Sequence, residues 1–564
     1  MPDWISQYRR EWFSGDVIGG LIVTIMLIPQ SMAYAMLAGA PPQYGLYASI
    51  LPVIVYALIG SSRYLAVGPV AIVSLMVSST VSVHAEAASA EYGQVAILLA
   101  WEVGALLVLG GVLRFGVFAN FLSHSVIDGF INASALIIAV SQIEPLLGMR
   151  LTRTDSFFPM LAELARQYES IHLPTAAIGI GAVAGLLMMR KPLEVTLRRM
   201  HVPERVISVA TRTGALVVVI LGALVVWQGD LSVNQGVRIV GEVPAGLPAL
   251  NIPGWDPQLA LKLLPGAALI AFVAYLESIS VARSLASKRR ERILPNRELV
   301  ALGISNLAAG LSGAFPVAGG VGRSGVNYAA GSNTQLAGII TALSMALCLL
   351  LLGPLFHYVP KATLAAIVFI AVISIMDVKP LLESWRYNVA DGASALVTFL
   401  AVLLVNVETG VLTGLVFSVM LFLWRTLHPH IAIVGRVGDT EHYRNVLRHT
   451  VRTCPHAVAL RMDESLYFAN AHALEETLLR VVTERHEVKH VVLICSAVNF
   501  IDFSALEMLM TTAERLRDAG VTLHLAEVKG PVMDRLQRAH MLQRLGAGRV
   551  FLSTHEAMTA LGCV

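Results

Sequence analysis

The chain has 564 residues, is 56% hydrophobic and only 14% charged, and has a mean hydropathy of +0.68. Soluble domains carry roughly a quarter charged residues, so neither a single water-soluble globule nor a disordered chain fits. A net charge of +3, with no basic run interleaved with aromatics, excludes a nucleic-acid partner. The charge is unevenly spread. His428 to Val564 holds 30 charged residues in 137 positions, whereas the preceding 427 positions hold 49. The expected division is a membrane domain over 1–427, a linker and start of the tail over 428–456, and a folded tail over 457–564.

Met1 to Phe13 lacks the apolar core and small-residue exit of a signal peptide, so the first apolar run is expected to remain as a span. Fourteen apolar stretches follow in order, beginning near Val17, Leu46, Pro69, Val95, Val117, Leu173, Gly214, Ala260, Leu299, Ser324, Leu336, Leu364, Ala393 and Gly410. Crossing the hydrocarbon takes about 20 apolar residues, and several of these runs are shorter. Two of the short ones, at Pro69 and Ser324, are entered through Gly/Pro-rich sequence: Val67-Gly68-Pro69 and Phe315-Pro316-Val317-Ala318-Gly319-Gly320-Val321-Gly322. Interrupted segments at matching places in two halves mark the binding site of an inverted-repeat transporter. The spacing agrees: Gln30 precedes Pro69 by 39 residues, and Glu277 precedes Pro316 by 39. A seven-plus-seven inverted repeat is therefore expected.

Basic loops set the orientation. Arg190, Lys191, Arg198, Arg199 and Arg205 form one, and the segment Arg283 to Arg297, with Lys288, Arg289, Arg290 and Arg292, forms the other. Placing both in the cytoplasm puts the N-terminus and the tail there too. The connector Gln142 to His172 is then external, its Arg150, Arg153 and Arg166 diluted by Glu144, Asp155, Glu163 and Glu169.

An anion at mid-membrane needs donors in place of water. Two half-helix N-termini supply free N–H groups and positive dipole ends, and glycines let the backbone approach the ligand. Arg323 adds a fixed positive charge, and Gln30 and Tyr34, one turn apart, present polar groups on one helix face. A loop arginine snorkelling to the interface is the alternative for Arg323. Glu277, in an otherwise apolar helix, either balances Arg323 or carries a proton with the anion; a permanent packing ion pair is the alternative. Gly19, Gly20, Gly310 and Gly313 fit close helix packing. No GxSxG, HExxH, Walker loop or CxxC is present, so no enzyme, cofactor or metal is expected. Cys348, Cys454, Cys495 and Cys563 are scattered without CxxC or Cys/His spacing, which argues against a zinc site or a disulfide framework and suits a reducing face for the tail.

The tail alternates short strands and helices. Strands are expected at Val458 to Arg461, Ser465 to Phe468, Val491 to Cys495 and Val521 to Ala526. Helices are expected at His472 to His486, Ser504 to Ala519 and Val532 to Leu545. Asp502 or Ser504 caps the second helix, with regulatory phosphorylation of Ser504 as the alternative.

Pro42-Gln43-Tyr44-Gly45-Leu46-Tyr47-Ala48-Ser49, followed by Tyr56, Gly60, Ser61, Ser62 and Arg63, resembles the signature of the sulfate permease (SulP) family, which includes the animal multifunctional anion exchangers and prestin. Pro29-Gln30-Ser31-Met32-Ala33-Tyr34-Ala35 resembles that family's first span, and Asn333-Thr334-Gln335-Leu336-Ala337-Gly338 its tenth; the tail is similar to a STAS domain. The resemblance implies an α-helical polytopic membrane protein of 14 spans, with core and gate subdomains, an elevator-like motion, a homodimer and a small cytoplasmic α/β domain. It places the anion among Gln30, Tyr34, Pro69, Val70, Gly322, Arg323 and Ser324, with Glu277 beside it. Two residues depart from the pattern. Val70 stands where prestin-like members have an aromatic, and Ala505 replaces the glycine of the Asp-x-Ser-Gly motif.

The expected function is secondary transport of a small anion across the inner or plasma membrane, sulfate first, by proton symport or anion exchange. Bicarbonate, with sodium coupling, or a dicarboxylate is the competing substrate. A membrane-anchored sensor, or a regulatory module binding a cytoplasmic protein through the tail, is the alternative of a different class.

Overall fold

The computed structural model describes the chain apart from residues 1–2, 121–123, 150–156, 204–206, 208–209, 212, 245, 253 and 255. Arg150, Arg153, Asp155 and Arg205 of the orientation argument lie outside the described residues. Two compact units emerge, Met1–Ser418 and Val419–Val564.

Helical segments follow the apolar stretches one for one, all but the last of them wholly within the first unit. They are α1 (Phe13–Leu37), α2 (Pro42–Ile59), α3 (Ala71–Ser82), α4 (Ala90–Val112), α5 (His124–Ser141), α6 (Leu173–Met188) and α7 (Gly214–Gln228). After them come α8 (Pro257–Ser287), α9 (Pro295–Leu311), α10 (Val321–Ala329), α11 (Leu336–Leu352), α12 (Lys361–Ile373), α13 (Val389–Leu404) and α14 (Val407–Leu427). Among the described residues, seven helices are individually long and apolar enough to cross a bilayer. Asn333 to Gly338 leads into α11, the eleventh segment, and not the tenth as the resemblance suggested.

The most extensive helix pairings follow a two-fold rule: adding or subtracting seven from both helix numbers maps one contact onto another. Thus α4–α9 is matched by α11–α2, α5–α13 by α12–α6, α8–α4 by α1–α11, and α8–α3 by α1–α10. These pairings are the seven-plus-seven repeat written in contacts. Small residues allow the close ones. A Cβ on Gly20 would lie 2.7 Å from the Ala337 carbonyl, and one on Gly310 would lie 2.4 Å from the Trp101 ring. Gly313 differs from that expectation, since it has open space around it and a φ of +69° at the end of α9.

The family-like signature builds a seam. A Cβ on Gly45 would sit 1.8 Å from the Ser31 carbonyl, so only glycine lets α2 lie against α1 there. Glu298 of α9 accepts hydrogen bonds from the Tyr56 hydroxyl and from Ser61 N and Oγ, each at 2.7 Å, and from Ser62 N at 3.1 Å. Arg297 Nε donates to the Ile59 carbonyl at 2.7 Å. Asp16 does the same for α11, accepting from Asn333 N at 2.6 Å, Thr334 N at 3.0 Å and the Thr334 hydroxyl at 2.6 Å.

The second unit is an α/β layer structure. Its strands β3 (Ile431–Arg436), β4 (Tyr443–Asn445), β5 (Ala457–Met462), β6 (His490–Ile494), β7 (Thr522–Ala526) and β8 (Val550–Phe551) form one sheet in the order β4-β3-β5-β6-β7-β8. Pairing from β5 to β8 is parallel, and both β4–β3 and β3–β5 are antiparallel. The sheet thus starts at Ile431, inside the 428–456 stretch read as linker and start of the tail. The helices are α15 (Phe468–Glu484), α16 (Phe503–Asp518), α17 (Gly530–Arg538) and α18 (Thr554–Ala560). Ser465 to Phe468 is not a strand: Leu466 makes a single bridge to Ile501, and α15 opens at Phe468. Asp502 accounts for this, because its Oδ2 accepts from Phe468 N at 2.7 Å while its Oδ1 caps α16 through Ala505 N at 2.8 Å. One carboxylate therefore starts two helices. The cysteine expectation is also corrected, since Cys454 and Cys563 are joined as a disulfide. Their separation of 109 residues hides the pairing from a spacing argument.

Candidate functional site

The two chain breaks meet. β1 (Val67–Gly68) pairs antiparallel with β2 (Ala318–Gly319), Val67 opposite Gly319 and Gly68 opposite Ala318. α3 and α10 start directly beyond this ribbon, and neither has a side-chain cap. Their first-turn N–H groups and positive dipole ends therefore remain available. Polar residues in the core hold the ribbon. Ser278 Oγ accepts from Gly319 N at 2.8 Å, and Asn306 pairs with the Val317 backbone through both ends of its amide, at 2.8 and 3.0 Å. Neither residue was singled out from sequence, because an isolated Ser or Asn in an apolar run carries no spacing signal.

A cavity of about 440 Å³ opens at this junction. Gln30 and Tyr34 of α1, Val70 ahead of α3, Glu277 of α8, and Gly322 and Arg323 of α10 all line it. Pro69 takes part through its backbone, its carbonyl accepting from Arg323 Nη1 at 2.7 Å. Ser324 is turned to structure. It is fully buried, and its hydroxyl donates to the Gly320 carbonyl at 2.7 Å and accepts from Ala66 N at 2.9 Å. Ser504, far along the chain, is exposed in the first turn of α16.

Arg323 is 3% exposed, yet its Nε and Nη2 are buried without a hydrogen-bond partner, as is Glu277 Oε2. Glycines make room for the guanidinium. A Cβ on Gly320 would lie 2.9 Å from Arg323 Nη2, and one on Gly68 would lie 3.4 Å away. Unpaired buried donors are costly, so such a group marks a place that another ligand completes. Polar lining from α1, α8 and α10 faces an apolar wall of Val126, Ile127, Phe130 and Ile131 from α5, with Ile375 after α12 and Val411 from α14. Arg190, after α6, also lines the cavity and reaches the Ile370 carbonyl at 3.4 Å. Its sequence neighbours are basic, so it reads there as an orientation charge only.

The model of the Sulfate permease family matches residues 13–399, and that of the STAS domain matches 449–557. The chain is 35% identical over 98% of its length to sulfate transporter 4.1, chloroplastic, of Arabidopsis thaliana, covering 81% of that protein. Its fold matches murine Slc26a9, an anion transporter solved in the inward-facing state, with a TM-score of 0.88 at 22% identity, covering all of this chain and 93% of that one. It also matches the transmembrane domain of the cyanobacterial bicarbonate transporter BicA, with a TM-score of 0.60 at 22% identity over 73% of this chain and 98% of that one. The chain is a multi-pass membrane protein that belongs to the sulfate permease family and ends in a STAS domain.

Proposed function

We propose that the chain moves a small inorganic anion, sulfate first, across the cytoplasmic membrane by secondary active transport, with its N-terminus and STAS domain on the cytoplasmic side. The observation that carries this reading is the pair of unpartnered guanidinium nitrogens of Arg323, Nε and Nη2, beside two uncapped half-helix N-termini. The name of the Arabidopsis relative supports sulfate as the first substrate to try.

Charge balance makes the proposal specific. Arg323 contributes one positive charge and each helix end roughly half a charge, about +2 in all. A dianion matches that sum when Glu277 is neutral; a monoanion such as bicarbonate matches it when Glu277 is ionised. Sulfate binding is therefore expected to bring a proton onto Glu277, which amounts to proton symport. Anion exchange is the coupling in which Glu277 keeps one state throughout. The cavity's polar groups sit mainly on α1, α8 and α10 and its wall on α5, α12 and α14, which suits a core that slides with its anion past a gate.

Uptake of labelled sulfate into proteoliposomes, with and without an inward proton gradient, tests the reading. Saturable uptake stimulated by the gradient supports symport. Bicarbonate and a dicarboxylate as competitors, and removal of sodium, separate the other readings. Absence of saturable flux for every anion tried sinks transport and leaves the STAS-mediated sensor reading.

A further inference from the structure

Cys454, His456 and Cys563 meet beside α18 in the STAS unit. The two cysteines form a disulfide with their Cα atoms 5.5 Å apart. The His456 ring packs against both sulfurs, with Nδ1 and Nε2 each 3.6 Å from Cys454 Sγ and Nε2 3.4 Å from Cys563 Sγ. Nε2 also lies 3.0 Å from the Leu561 carbonyl. A carbonyl only accepts, so that nitrogen carries the hydrogen and Nδ1 keeps its lone pair. The backbone here is fixed as well, since the His456 carbonyl accepts from Lys489 N at 2.8 Å and His490 N at 3.1 Å.

A disulfide needs no third group, and a histidine oriented through its second nitrogen is a feature of metal sites. One donor atom from each of the three residues lies within 4.8 Å of the others. Around a tetrahedral zinc, a sulfur and a nitrogen ligand are about 3.5 Å apart, close to the Cys454 Sγ to Nδ1 separation. The two sulfurs would need to open to roughly 3.7 Å. Cys563, half-buried and three residues beyond α18, can supply that movement.

We propose that this cluster is a redox-gated Cys2His site for a zinc-class divalent cation, closed by the disulfide and opened by reduction. A small dithiol delivers two electrons and two protons to the disulfide and is itself oxidised to a disulfide. Both freed thiols then release their protons and bind the cation as thiolates. His456 Nδ1 is the third ligand, and water takes the fourth position. The proposal stands apart from the transport reading, since it involves no residue of the membrane cavity.

The test uses the full-length protein in detergent, with Cys348 and Cys495 replaced by serine, reduced with dithiothreitol and desalted without oxygen. Titration with Co(II) is expected to give a sulfur-to-cobalt charge-transfer band saturating at about one ion per chain, displaced by Zn(II). Cys454→Ser and Cys563→Ser each remove the band. His456→Ala still forms the disulfide, read as the mass of the linked peptides, which shows that the tail is folded; it binds Co(II) roughly 100-fold more weakly. A reduced parent with no band overturns the proposal. So does a band that persists in either serine variant, or a His456→Ala variant that binds as tightly as its parent.

Discussion

At the seam between α2 and α9, Glu298 is fully buried and both its oxygens are satisfied, one by Tyr56 and the other by Ser61 and Ser62. At the junction of α3 and α10, Arg323 is almost as deeply buried, and two of its three nitrogens have no partner. Both residues are charges in an apolar body, so burial alone does not separate structure from function. Completeness of the hydrogen bonding does. A charge whose lone pairs or N–H groups are all used is a brace. One left unfinished, with a cavity beside it, is a candidate to be completed by a ligand. Asp16 falls on the first side of that line and Glu277 on the second.

Four experiments break or sharpen this contrast. Glu298→Ala strands the Tyr56 hydroxyl and two backbone N–H groups, and should cost roughly 3 kcal/mol or more, since each buried orphan costs about 1–3 kcal/mol. Thermal unfolding in detergent reads it, and an unchanged midpoint would remove Glu298 from the braces. Arg323→Ala should behave in the opposite way. Sulfate flux should fall by roughly 100-fold, a transition-state loss near 2.7 kcal/mol, while the unfolding midpoint holds or rises. Retained flux would mean that the two unpaired guanidinium nitrogens serve something else.

Gly320→Ala is milder. The new methyl meets the end of a flexible side chain, so Arg323 shifts, and flux should drop about tenfold with stability nearly unchanged. A variant that transports normally would show that the guanidinium's position is not critical.

The smallest effect is expected in the tail, where His524 is a buried group with its bonding complete. Its Nδ1 accepts from Arg549 N at 3.1 Å, and its Nε2 faces His490 Nδ1 at 3.2 Å. Burial, with His490 and Arg549 adding to it, lowers its pKa to about 4. The folded tail thus resists a proton that the unfolded chain accepts below pH 6.5. Its stabilising contribution is complete above pH 6.5 and is lost as pH falls toward 4. Calorimetry of the full chain should show the STAS transition moving down across that window, and His524→Gln should flatten the dependence. An unchanged slope in that variant would assign the pH sensitivity to other groups.

Hydropathy and Gly/Pro punctuation alone fixed much of this molecule. The fourteen apolar stretches and the paired interruptions at Pro69 and Pro316 are local properties of the chain, and each reappears as a structural boundary. Arg323 and Glu277 were legible because a charge in an apolar run is rare enough to stand out. Other features depend on which distant residues meet. Glu298 and Asp16 read as ordinary loop-proximal acids until Tyr56, Ser61 and Thr334 come to them across hundreds of positions. The family resemblance put Ser324 among the ligands, but its hydroxyl is taken up by Gly320 and Ala66. The disulfide partners lie 109 residues apart, and β3, an inner strand between β4 and β5, sits in the stretch that composition marks as linker and start of the tail. Sequence determined where charge and chain breaks lie along the membrane domain. Only the tertiary structure decided which of those charges are satisfied, because a hydrogen bond is a property of two positions and periodicity reports on one.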